Sequence, residues 1–251
     1  MSFTLPLGVI LPVDEIDVRL DPAQHPFEVG REDAIAENWQ REIAAKPALF
    51  DGTVVLLSEF GYDGGRLYGR CHAVGYSTFL YWRKDRVATA AHAFAHPMLV
   101  TKDNALVAIR MAAHTVNAGR VYFAAGSFEP EDFPDGAVDA HGNMVREVRE
   151  ETGLDISGAR RGARHYVLAT ERGTVIFRRY FLDEAADAIA SRIRDFVVGE
   201  SEPEIEEPVV IRNARDLPDG LMPHMPPMID WHFSRIKPRR FSRQLHLRAS
   251  R

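Results

Sequence analysis

The chemistry of this chain concentrates in Arg146-Glu147-Val148-Arg149-Glu150-Glu151-Thr152-Gly153-Leu154. At about 100° per residue, Met144, Val145, Val148 and Thr152 share one arc of a helix, and Glu147, Glu150 and Glu151 share the neighbouring arc. One face suits a core; the other gathers carboxylates. That gathering is unfavourable by itself, because like charges at i,i+3 and i,i+4 destabilise a helix by roughly 0.2–0.5 kcal/mol per pair. Arg146 can reach Glu150, but from the N-terminal side, the weaker orientation for such a pair. A shared divalent cation relieves the repulsion, and oxygen-only ligands suit Mg²⁺ or Mn²⁺. Mg²⁺ completes its shell with water and substrate phosphates, so the implied chemistry is metal-assisted attack of water on phosphorus.

The carboxylates need a helix over residues 141–152, closed by Gly153 in the left-handed conformation that glycine tolerates. Short apolar strands at 106–112 and 120–125 precede it, with an Asn117-Ala118-Gly119 turn between them. An acidic, proline-rich loop covers 129–136. Strands at 165–170 and 174–182 flank an Arg172-Gly173 turn. An amphipathic helix at 184–197, a short strand at 208–212 and a last helix at 228–233 follow. Upstream, 10–20 alternates weakly like a strand, and 33–45 carries Ile35, Trp39 and Ile43 at helical spacing until Pro47 stops it. Segments 53–58 and 66–73 form a hairpin around Tyr62-Asp63-Gly64-Gly65. Interspersed strands and helices give an α/β or α+β class. A soft boundary near residue 100 separates a β-rich region, 1–100, from a mixed core, 101–235. The segment 236–251 is a basic tail, read as disordered.

Composition removes several alternatives. The chain has 251 residues, 45% hydrophobic and 27% charged, with a formal net charge of −5. That is enough to bury a sizeable core and too apolar for a disordered chain. The acidic balance argues against a nucleic-acid partner. One cysteine excludes an intramolecular disulfide framework or a Cys-rich zinc site, and fits a reducing, cytoplasmic setting. The longest apolar stretch, 87–100, is broken by His92, His96 and Pro97, short of a membrane span. Residues 1–13 contain Pro6 and Pro12 and no basic start, a poor signal peptide. No P-loop pattern occurs. His92 and His96, placed i,i+4 on a helix, lack a third zinc ligand. Cys71 reads as a half-buried strand residue. Tyr62, Tyr68, Tyr76, Phe79, Tyr81 and Trp82 are candidates to stack a base.

The string from Arg146 to Leu154 fits R-E-(apolar)-x-E-E-x-G-(apolar) at every position and so resembles the second half of the Nudix box. Five fixed positions at roughly 6% usage each give about one chance in a million per site. The resemblance implies an α/β fold, a Nudix-type α/β/α sandwich with a mixed sheet, here preceded by the β-rich region. It implies Mg²⁺- or Mn²⁺-dependent hydrolysis of a nucleoside diphosphate linked to another group. Glu147, Glu150 and Glu151 would hold metal, and Glu147, Glu150 and Arg146 would form the catalytic set. Glu147 would also be a base, and Arg146 would orient loop and helix. Gly126 would correspond to the glycine that opens the box and offers its carbonyl to the metal. The first half departs from the pattern. The family's glycine, fourteen residues before the arginine, falls on Asp132, and its glutamate falls on Val138. Starting at Gly126 inserts six residues, and Asp139 is the nearest stand-in for the glutamate.

A fainter resemblance reaches further. Ala34, Ile35, Trp39, Pro47, Leu49 and Phe50, then Gly75-Tyr76-Ser77-Thr78-Phe79, and later the segment 202–217, are similar to the animal Nudix enzymes that cleave UDP-glucose and UDP-galactose. This implies a UDP-sugar substrate yielding UMP and a sugar 1-phosphate, with Tyr76 and Phe79 as substrate contacts. Other Nudix proteins take a further glutamate from a loop after the core strands. Glu206, with Glu204 next, is the candidate here. Two alternatives stand beside this reading: a Nudix-fold binding module for nucleotide sugars, and a house-cleaning hydrolase of ADP-ribose, CoA or oxidised nucleotides. The partner expected is a small nucleotide-linked diphosphate, with no membrane; a homodimer is compatible with the sequence.

Overall fold

The computed structural model describes residues 4–47, 49–85 and 90–235; the basic tail 236–251 lies outside the described residues. In chain order the elements are β1 (Ile10–Val13), β2 (Glu15–Asp21), α1 (Glu32–Ala45), β3 (Thr53–Asp63), β4 (Arg66–Gly75), α2 (Tyr76–Asp85), β5 (Ala93–Val100), β6 (Leu106–Met111) and β7 (Val121–Tyr122). Then come α3 (Ala140–Thr152), β8 (Arg160–Arg161), β9 (His165–Thr170), β10 (Gly173–Phe181), α4 (Ala186–Gly199), β11 (Ile205–Ile211) and α5 (Met225–Ser234). The large sheet runs β1-β9-β10-β5-β6-β11, with β7 on β6 and β8 on β10. It is mixed: β10 and β5 pair in parallel, while the other pairs are antiparallel.

Residues of β10 show how the sheet is covered. The Tyr180 hydroxyl lies 2.7 Å from His141 Nδ1 and donates to Met144 Sδ at 3.5 Å, both on α3. Phe177, on the opposite face of the strand, meets the edge of Trp231 on α5 at 5.2 Å. Helices therefore cover both faces, and the architecture is an α/β/α sandwich. Burial on both sides explains why Val175, Ile176 and Phe177 form an unbroken apolar run instead of alternating. α4 lies on β11 and β6 and touches α3.

The smaller sheet, β2-β4-β3, contributes Val18, Val55, Leu57 and Leu67 to the same core as the large sheet. β1 and β5 both precede residue 100 and are strands of the large sheet, so that sheet runs across the boundary expected from composition. The small sheet also ties down the loop before α3. Val55 N–H donates to the Phe128 carbonyl at 3.1 Å, and Val138 N–H donates to the Val18 carbonyl at 3.0 Å.

One expectation needs correction. His92 and His96 do not share a helix: His96 lies within β5 and His92 just before it. Burial of residues 93–100 between β10 and β6 outweighs the i,i+4 spacing. The segment after Gly75, by contrast, forms α2, a helix the periodicity did not suggest. No helix among the described residues is long and apolar enough to cross a membrane.

α3 begins at Asp139, whose carboxylate accepts from Gly142 N–H at 2.8 Å. It ends at Gly153, with φ of 69°. A β-carbon at that position would also run into the Phe196 ring of α4. Gly153→Ala should therefore destabilise the fold by more than the roughly 1–2 kcal/mol of left-handed backbone strain alone. The measurement is the urea midpoint, which should fall at unchanged m-value.

Candidate active site

α3 does not treat its three glutamates alike. Met144 and Val148 are fully buried in the core and fix the helix rotation. That rotation sinks Glu147 and Glu151 into the protein, at 8% and 7% exposure, and leaves Glu150 on the rim. Glu151 Oε2 accepts from Ala125 N–H at 2.8 Å. The Glu147 carboxylate lies so close to Gly126 that a β-carbon there would collide with it. A larger residue at that position would have to displace the Glu147 carboxylate. These residues open into a cavity of about 340 Å³ lined by seven glutamates and one arginine.

The arginine is Arg146. Its Nη2 donates to both oxygens of Asp132, at 3.2 and 3.1 Å, and its Nη1 lies 2.9 Å from Glu147 and 3.2 Å from Glu150. Asp132 is itself buried and also accepts from Glu129 N–H at 2.9 Å and Asn143 Nδ2 at 3.0 Å. It thus fastens the acidic loop to α3 and aims the guanidinium at the cavity. Asp139, the stand-in suggested by spacing, is instead the helix cap. The sequence signal for Asp132 was present, since it stands fourteen residues before Arg146, but pairing across an inserted loop is invisible without the loop's path.

Burial dominates the electrostatics. It raises Glu147 from its ordinary 4.5 to about 7, against the lowering pull of Arg146 and with help from Glu150 and Asp132. It raises Glu151 well above the ordinary carboxylate value, and the neighbouring Glu147 and Glu204 charges add to that. Burial opposes the Arg146 charge as well, but Glu147 and Asp132 outweigh it and hold the guanidinium protonated. Among the described residues, no group of three His, Cys, Asp or Glu side chains is arranged around one point as metal ligands. The donor chemistry nevertheless fits a hard dication: buried carboxylate oxygens, one cation among seven acids, and a glycine that leaves the backbone open.

A second cavity, of about 250 Å³, adjoins the first and shares Gly126 and Ser127 with it. Tyr76 and Phe79, the expected substrate contacts, line it with Trp82, Phe94 and Tyr122. His92, His96 and His224 line it too, which no local pattern foretold. The Nε2 atoms of His96 and His224 lie 3.0 Å apart, and His92 Nε2 lies 3.0 Å from Ser127 Oγ. Burial pushes His92 and His224 down to about 4 and His96 well below its ordinary value, so all three are neutral at pH 7.

Glu206 is exposed on β11 outside the acidic cavity, whereas Glu202 and Glu204 line it. A bulge between Ile205 and Glu207 changes the alternation of the strand there. The Glu204 carbonyl accepts from Ala112 N–H at 2.9 Å, which holds that residue beside β6. Glu207 pairs with Arg110 at 3.1 Å. Cys71 is a buried free thiol, pushed up to about 12 by burial.

No family model matches the chain, and no curated protein matches it. Solved structures do. The MutT protein from Methanosarcina mazei Go1 is 15% identical, covers 57% of this chain and 92% of its own, and superposes with a TM-score of 0.37. The ORF135 protein of E. coli is 16% identical over 56% of this chain and 88% of its own, at a TM-score of 0.34. A bifunctional NMN adenylyltransferase/ADP ribose pyrophosphatase from Francisella tularensis is 13% identical over 77% of this chain, at a TM-score of 0.31; the match spans 41% of that enzyme.

The raised carboxylates set a pH dependence. Between 4.5 and about 7 the folded protein holds a proton at Glu147 that the unfolded chain has released, and Glu151, raised well above its ordinary value, acts in the same direction. Stability of the metal-free protein should therefore fall as pH rises through that window, by on the order of 3 kcal/mol from Glu147 alone. Thermal melts at pH 5 and pH 8, with and without Mg²⁺, check this. Mg²⁺ should restore the melting temperature at pH 8, and Glu147→Gln should flatten both dependences.

Proposed function

We propose that this protein is a Nudix-type hydrolase that cleaves the pyrophosphate bond of a nucleoside diphosphate linked to another group. The observation that carries the reading is the pair of buried carboxylates, Glu147 and Glu151, the first of them close against Gly126, in an acidic cavity that shares Gly126 and Ser127 with an aromatic one. A nucleobase suits the aromatic cavity, whose lining also includes Arg83 and Arg172, and the diphosphate then reaches the acidic one.

Glu147, Glu150 and Glu151, with the Gly126 carbonyl, would hold Mg²⁺ or Mn²⁺, which when bound neutralises phosphate charge and lowers the pKa of the attacking water. In the reaction a water oxygen bonds to one phosphorus, and the bridging P–O bond breaks with its electrons leaving on the departing phosphate. The proton leaves the water for a base. Glu147, a buried carboxylate at the cavity wall, suits that proton transfer. Arg146 keeps the loop and helix in place through Asp132 and offers positive charge beside Glu150. Tyr76 and Phe79 at the aromatic cavity support a UDP-sugar as substrate, to give UMP and a sugar 1-phosphate. A cytoplasmic setting agrees with the lone reduced thiol.

One observation favours a second reading. Arg146 already bridges Glu147 and Glu150, which lessens their need for a metal. A binding module for nucleotide sugars would keep the aromatic cavity and bind without cleaving.

A panel of UDP-glucose, ADP-ribose and CoA, with and without Mg²⁺, separates these readings by release of a nucleoside monophosphate or its equivalent. Glu150→Gln and Glu151→Gln should each lower turnover on the order of 10²–10³-fold, the scale of removing one preorganised electrostatic group. Glu204→Gln should lower it as well, while Glu206→Gln should leave it unchanged. Full turnover in both the Glu150 and Glu151 variants would defeat the assignment.

A further inference from the structure

We propose that Ser127, held by His92, anchors the substrate where the two cavities meet and so sets which phosphorus of the diphosphate faces the carboxylates. This rests on the hydrolase reading above and adds the residue that fixes its register.

Gly126 and Ser127 are the two residues that line both cavities, and Gly126 has no side chain to offer. Ser127 is therefore the residue with a side chain that the two linings have in common. Its position is firmly set. The backbone of Ser127 bridges to Phe94, and its Oγ lies 3.0 Å from His92 Nε2. The His92 ring is wedged edge-on against Phe79 at 4.8 Å and stacked on Phe94 at 5.4 Å, and its carbonyl accepts from Thr174 N–H at 2.9 Å.

A neutral imidazole has one N–H and one bare nitrogen. If Nε2 carries the hydrogen it donates to Ser127 Oγ, and the serine O–H is left for a ligand. The acidic cavity, with seven glutamates and one arginine, draws that O–H proton towards itself. The pair then offers a directed donor to an anionic oxygen beside the carboxylates. Charge alone cannot distinguish the two phosphorus atoms of a diphosphate, because both carry anionic oxygens and either can approach a dication. A fixed donor between the ring cavity and the acidic cavity distinguishes them by distance from the base.

The test is hydrolysis of UDP-glucose and ADP-ribose by the full chain in H₂¹⁸O, with calorimetric binding of UDP in Mg²⁺ alongside. Wild type should place the label in one product only. Ser127→Ala should raise KM and weaken UDP about 10-fold, as loss of one hydrogen bond to a charged group would, and should spread label over both products. Uridine binding should not change. Ser127→Thr should restore single-product labelling, and His92→Phe, which keeps the ring packing, should reproduce the alanine result in weaker form. A Ser127→Ala enzyme with wild-type KM, UDP affinity and labelling would overturn the anchor and leave the hydrolase reading standing. A wild type that binds UDP without cleaving it moves the decision to the affinity comparison, where equal UDP binding by wild type and Ser127→Ala overturns the anchor. A wild type that neither cleaves nor binds any of these nucleotides overturns both.

Discussion

Taking a carboxylate out of water costs several kcal/mol unless charge or hydrogen bonds replace the lost hydration. Glu147 and Glu151 are removed from water together, one helical turn apart, and each raises the cost of ionising the other. What replaces the water is sparse: one backbone N–H on Glu151 and one face of Arg146 on Glu147. A core built for stability alone would place apolar side chains there. The protein manages the conflict by holding protons, and under the proposed function a dication would take the place of those protons and relieve the repulsion.

The rest of the fold is arranged so that α3 cannot rotate away from this conflict. Met144 meets Tyr180 on the sheet side, and Val148 is fully buried. Asp139 and Gly153 fix the two ends of the helix. Asp132 fastens the preceding loop to Arg146, and the small sheet holds that loop from behind through Val18 and Val55. The N-terminal segments therefore serve the site without supplying a carboxylate to it. α5 covers the far face of the sheet and carries no group of the acidic cavity.

Local features were legible in the sequence, and tertiary ones were not. The helical period of α3, its glycine stop and the grouping of its glutamates follow from spacing, because they depend on residues within two turns of one another. Which of the three glutamates is buried follows from the rotation that Met144 and Val148 impose, but that Glu147 comes to lie against Gly126 depends on where the chain after β7 passes. The choice of Glu204 over Glu206 turns on a bulge at Ile205, which shifts alternation by one position. His92 and His96 carry a helical spacing that the surrounding strand pairing overrides. His224 meets His96 across 128 positions of sequence, a distance at which no local pattern speaks.

Two cavities of opposite character sharing a wall impose a requirement on that wall. A charged group at the boundary would disturb one side or the other: a cation would pair with the carboxylates and block the passage, and an anion would add to their repulsion. The groups found there are Gly126, Ser127 and a histidine that burial keeps neutral. Neutrality holds over the pH range in which Glu147 titrates, since His92 is pushed to about 4 while Glu147 is raised to about 7. The acidic cavity can therefore change its protonation or take up a cation while the aromatic cavity keeps its charge.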